Sequence, residues 1–206
     1  MDERPWFIDS GKNLILGLGR PKCGILVDGE HQTLPSDSPV TCGLSGRKHV
    51  LFGHADGTIS SSKGKQISKE SASVESLSCI EQGFVAALES GLLIAKTPQS
   101  DELWRVEGSQ ITTHTAGFDD LHWSGRWDSR SGLLEVRSSS GELIASANVA
   151  RPRVSDASKN RIGFGFEDGQ VLVWEKELFE RRSNEEVAEK DSRKSALAAK
   201  LRSLRN

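Results

Sequence analysis

The chain has 206 residues, with 27 Lys+Arg against 29 Asp+Glu, 35% hydrophobic residues and a net charge of -2. That balance excludes a compositionally disordered chain and a strongly basic polyanion binder, and a chain of this length hides roughly 70% of its unfolded surface on folding. Apolar runs such as Phe84–Leu88 stop far short of the ~20 residues a spanning helix needs. The start, Met1-Asp2-Glu3, is acidic where a signal peptide is basic, so a cytoplasmic protein with no membrane association is expected. Cys23, Cys42 and Cys79 are odd in number and widely spaced. They write neither a disulfide framework nor a metal clip, and reduced core thiols are expected.

Twenty Gly and 6 Pro punctuate short apolar runs that alternate with period two, the signature of strands. In chain order, five hairpins recur: Asn13–Val27 turning at Gly24, His49–Ser60 at Gly57, Gly83–Ala95 at Gly91, Leu121–Val136 at Gly132, and Arg161–Trp174 at Gly169. The turn glycines are 33, 34, 41 and 37 residues apart, the length of a repeating four-stranded unit. Asp56-Gly57 and Asp168-Gly169 are strong turn dipeptides, because Gly accepts positive φ without steric cost. Weaker strands flank the hairpins: Val40–Gly43, Val74–Ile80 and Ile111–His114 before them; Lys65–Ile67, Glu102–Val106, Glu142–Ala145 and Glu177–Phe179 after them. Four strands per repeat make a blade. The expected fold is all-β, about five four-stranded blades over residues 1–182, in a ring that is closed, open or completed by another chain. A β-sandwich with ordinary Gly turns is the competing arrangement.

Two stretches carry a family resemblance. Phe164–Glu175 resembles the last hairpin of a WD-repeat blade, with Val173-Trp174-Glu175 in place of the hydrophobic residue, Trp and Asp. Ser90–Val106 resembles a quinoprotein-type blade, in which Trp104 would be the docking tryptophan. The chain is thus similar to β-propellers over roughly residues 5–180, although no blade pairs Gly-His with Trp-Asp at the usual places. The resemblance implies a non-catalytic interaction module that scaffolds a protein complex.

Catalytic signatures are missing from the sequence. Gly17-Leu-Gly-Arg-Pro-Lys22 and Gly163–Gly169 fail the phosphate-loop spacings, and Gly43-Leu-Ser-Gly-Arg47 fails that of a nucleophile elbow. No cofactor is expected. An enzyme or ligand-binding propeller would need residues gathered from separate blades around a central channel, and that is the alternative reading. His114, Asp119, Asp120 and His122 place two imidazoles and two carboxylates within nine residues; they can bind a divalent metal only if a turn folds them together, and a solvated turn is the simpler expectation. The segment from Trp123 to Arg130 reads as the longest hairpin tip. It combines Trp123 and Trp127 with Arg126 and Arg130, residue types that dominate interface hot spots, so these four are candidate partner contacts, against packing between blades.

From Ser183 onward the composition turns to Glu, Lys, Arg, Ala and Leu without Gly or Pro. Ser183 or Asn184 can cap a helix over 183–206 whose first turn holds Glu185 and Glu186. Leu197, Leu201 and Leu204 make one apolar stripe, expected to dock a protein partner or a second copy. Residues 190–206 carry six basic residues and one acid, a net of +5, so nucleic acid is the competing partner for this helix. The remaining body, at about -7, repels phosphate.

Overall fold

The computed structural model describes residues 7–10, 13–45, 50–108, 111–118, 121–158 and 160–182. Strands β1 (Phe7–Ser10), β2 (Leu14–Gly17), β3 (Ile25–Val27) and β4 (Glu30–Gln32) form the first sheet. The second holds β5 (Val40–Ser45), β6 (Val50–His54), β7 (Thr58–Ser61) and β8 (Gln66–Lys69). β9 (Val74–Ile80), β10 (Gly83–Leu88), β11 (Leu93–Lys96) and β12 (Glu102–Val106) form the third. β13 (Ile111–Phe118), β14 (Leu121–Trp127), β15 (Gly132–Ser138) and β16 (Leu143–Val149) form the fourth. The fifth has only β17 (Pro152–Ala157), β18 (Arg161–Phe166) and β19 (Val171–Glu175), followed directly by a helix, α1, over 176–182. Every sheet is an antiparallel meander in chain order.

All five expected hairpins are present. Gly24, Gly57, Gly91 and Gly169 have φ between 84° and 89°, the region that only Gly enters freely. Gly132 is needed for another reason: a Cβ there would stand 2.3 Å from the Ala150 carbonyl oxygen. The expected strand at Glu177–Phe179 is instead the first turns of α1. Leu178 and Phe179 are adjacent rather than alternating, and the helix drives Phe179 edge-on to the Trp123 ring at 5.1 Å. A helix over 176–182 thus ends the described part of the chain; the expected segment 183–206, with Leu197, Leu201 and Leu204, lies outside the described residues.

Successive inner strands pack side by side, β5 on β1, β9 on β5, β13 on β9 and β17 on β13, giving an open, propeller-like arc. Each sheet thus has a backward face toward the preceding sheet and a forward face toward the next. Ile15 and Ile25 meet Val40 and Phe52 at the first junction. Ile59, with Cys42, Leu44 and Leu51, meets Val74, Phe84, Ala86 and Ile94 at the second. At the fourth, Trp123, Leu134 and Val136 meet Ile162, Phe164 and Phe166. These buried and partly buried apolar residues supply the main drive for the fold, at about 25 cal/mol per Å² removed from water. Among the described residues no helix is long and apolar enough to cross a membrane.

Candidate functional site

Among the described residues, polar groups gather at two places and exposed valines at a third. The first is the turn between β6 and β7. Asp56 accepts hydrogen bonds from Lys69 Nζ (2.6 Å), the Thr58 backbone (3.0 Å), the Thr58 hydroxyl (3.1 Å) and Ser36 (3.1 Å). Burial alone would raise its pKa, but these donors outweigh it and hold the carboxyl well below the usual range. Beside it His54 is fully buried, its ring nitrogens bonded to the Ser38 carbonyl (3.1 Å) and Ser60 Oγ (2.8 Å). Ser60 is itself fully buried, so His54 and Ser60 form a structural knot with no access for a substrate, while Asp56 sits on the exposed turn above them. The Gly53-His54 pair therefore does structural work, which the sequence reading missed. An open cleft of about 600 Å³ lies over the knot, lined by Arg20, Ser36, Asp37, Gln66 and Lys69. The Asp56 carboxylate at its floor is already satisfied by four donors.

The second place is the third junction, where the backward face of the fourth sheet is polar. Glu135 sits between Arg137 (3.1 Å) and Arg126 (3.4 Å), all three buried. Arg126 also donates to the Gly91 carbonyl at 2.5 Å and Arg137 to the Gly141 carbonyl at 3.0 Å. Across the junction they face the apolar forward face of Val85, Ala87, Leu93 and Ala95. Nearby His122 is buried with Nδ1 3.3 Å from Ser78 Oγ; burial, reinforced by the Arg137 charge, pushes its pKa down to about 3. Trp104, on the outer strand β12, reaches the next sheet, donating from Nε1 to the Ser139 carbonyl at 2.9 Å. A Cβ at Gly141 would stand 2.9 Å from the Trp104 ring, so this is the docking role that the resemblance implied.

The candidates from the sequence fall differently. Residues 121–127 are strand β14 rather than a hairpin tip. Alternation sends Trp123 into the fourth junction and Arg126 into the third, both buried. Their side chains are packing residues, not surface contacts. Trp127 is half-buried beneath the Arg151 guanidinium, 3.4 Å from the ring centroid. Arg130 alone of the four is exposed, at the tip. Trp174 is half-buried against Trp123 and Phe164. The imidazole-carboxylate cluster does not assemble: the register sets Gly117 opposite His122 and Gly125 opposite His114, and Asp119 and Asp120 lie outside the described residues. Among the described residues no group of three His, Cys, Asp or Glu stands close enough for a metal. None of the cysteines is in a disulfide, but Cys79 is exposed rather than buried. Cys42 is a core thiol, pushed up to about 12 by burial.

The third place is the forward face of the fifth sheet. Register puts Val154 opposite Gly165, Gly165 opposite Val171 and Gly163 opposite Val173. The three valines are 58%, 69% and 59% exposed, and open space lies above Gly163. The Arg161–Glu175 ion pair, at 2.8 Å, rims the patch. The matching positions one sheet earlier, Leu134 and Val136, are buried. At the other end of the arc Leu14 is also exposed.

No family profile and no curated protein matches the chain. Solved structures do. The WD40 β-propeller domain of Doa1 superposes with a TM-score of 0.64 at 18% identity, over 83% of this chain and 64% of that one. The fold is a β-propeller. BamB from Moraxella catarrhalis matches with a TM-score of 0.64 at 13% identity, over 81% of this chain and 56% of its own. BBS1N, in a structure with ARL6DN, gives 0.59 at 11%, over 78% and 59%. The propeller described here thus spans between half and two thirds of each of these three chains.

Proposed function

We propose that the chain is a non-catalytic β-propeller module that scaffolds a protein complex, docking its partner on the forward face of the fifth sheet. The observation that supports this most is the exposure of Val154, Val171 and Val173 on a face whose counterparts in the other sheets are covered by the next sheet. Its occupant is a β-sheet of the partner, since each such junction within the chain is sheet on sheet. The shares of the matched propellers left uncovered leave room for one. BBS1N, a related fold, was solved in complex with another protein. Exposed Arg130 and the stripe of Leu197, Leu201 and Leu204 extend the contact in this reading, with the C-terminal segment holding the partner by apolar contact.

Affinity capture from native lysate tests it. A stoichiometric protein partner should be held by the wild type and by Lys200→Gln with Arg202→Gln and Arg205→Gln, and lost from Val171→Asp with Val173→Asp. Leu197→Asp with Leu201→Asp should weaken it. Loss confined to the charge variant, with affinity falling steeply as salt rises, would instead indicate nucleic acid and overturn the reading.

A further inference from the structure

Outer strands of sheets offer a row of unpaired backbone groups, and proteins usually guard them with charge. Here the guards are present on four of five: Glu30 on β4, Lys69 on β8, Glu102 and Arg105 on β12, Glu175 on β19. β16 is different. Its seven residues, Leu143-Ile-Ala-Ser-Ala-Asn-Val149, contain no charge, Gly or Pro. Among the described residues the strand pairs only with β15, and Leu143 to Asn148 are all exposed, Leu143 by 51% and Ile144 by 49%.

We infer that β16 pairs antiparallel with the β16 of a second copy, across a two-fold axis at Ser146, joining two fourth sheets into one. Charge placement selects this occupant and this direction. The nearest charges flanking the strand are Glu142 before it and Arg151 after it. Antiparallel pairing brings the acidic end of each strand, at Glu142, to the basic end of the other, at Arg151, whereas parallel pairing would set like charges together. The centre of the strand is self-complementary in the same register, Ala145 opposing Ala147 about Ser146, while the bulge at Ile144 against β15 puts Leu143 and Ile144 at the rim of the contact. This contact is separate from the fifth-sheet face and stands whether or not that face binds a partner.

Sedimentation velocity over a concentration series reads the association, with circular dichroism confirming that each variant is folded. The wild type should form a dimer and no larger species. Ala145→Lys with Ala147→Lys, which sets lysine against lysine across the axis, should weaken it by at least about 100-fold. In a Cys79→Ser background, Ser146→Cys should cross-link on mild oxidation, because directly opposed residues sit within disulfide reach. Leu143→Cys should not, its twin being about 20 Å away along the strand. A wild type monomeric at high micromolar concentration, dimers that survive the lysine variant, or cross-linking through Leu143 and not Ser146 would each overturn the inference.

Discussion

The fourth junction and the forward face of the fifth sheet are made by the same geometry, yet one is core and the other surface. On β15, Leu134 and Val136 point forward and are covered by Phe164 and Phe166; on β19, Val171 and Val173 point the same way and are covered by nothing described. Sheet patterning thus fixes which residues face forward, and only the presence of a neighbour decides whether that burial stabilises the fold. The same substitution should therefore have opposite consequences at the two places.

Trp123→Ala should give the largest effect. It empties the centre of the fourth junction and unseats Phe179, at a cost of about 3–5 kcal/mol, read as a lowered midpoint in urea. Glu135→Ala probes the polar third junction. Leaving two guanidiniums buried without their carboxylate should cost about 3–5 kcal/mol, slightly less than the tryptophan because both arginines keep their carbonyl acceptors.

Acid should attack the third junction before the fourth. His122 is held neutral down to about pH 3 in the folded state, whereas the unfolded chain takes up that proton near the ordinary pKa of about 6.5. Between these values the unfolded state binds more protons, so stability is complete above about pH 6.5 and falls as pH drops toward 3. His54 is shifted the same way, by burial, and adds to the fall. Urea unfolding at pH 7 and pH 5 should show the loss, and His122→Gln should flatten the slope by up to about 1.4 kcal/mol per pH unit. An unchanged slope would mean that His122 is not the group responsible.

Much of this architecture is legible in the residues themselves. The five hairpins follow from alternation and turn glycines, because both are local. Trp104 could be assigned because docking by an outer-strand tryptophan leaves a trace in sequence. Trp123 and Arg126 could not: their functional look came from composition, while their burial follows from the length of β14, which runs to Trp127 where the Gly and Ser of 124–125 suggested a tip. The helix after β19 was hidden because Glu177–Phe179 is too short to show a period. The Asp56 turn and the His54 knot beneath it were missed since the donors to Asp56 come from positions as distant as Ser36 and Lys69. The exposed valines were invisible, as Val171 and Val173 alternate like any buried strand.

Among the described residues nothing covers Val154, Val171 and Val173 on the fifth sheet's forward face, and the proposed function makes that face the partner's seat. Val171→Asp with Val173→Asp tests both halves when stability and partner retention are measured on the same preparation. The urea midpoint should stay equivalent to within about 0.5 kcal/mol of wild type, as for surface substitutions, while the stoichiometric partner is lost. A destabilisation approaching that of Trp123→Ala would mean that the face is already part of a core, and a partner retained at full stoichiometry would mean that it docks elsewhere.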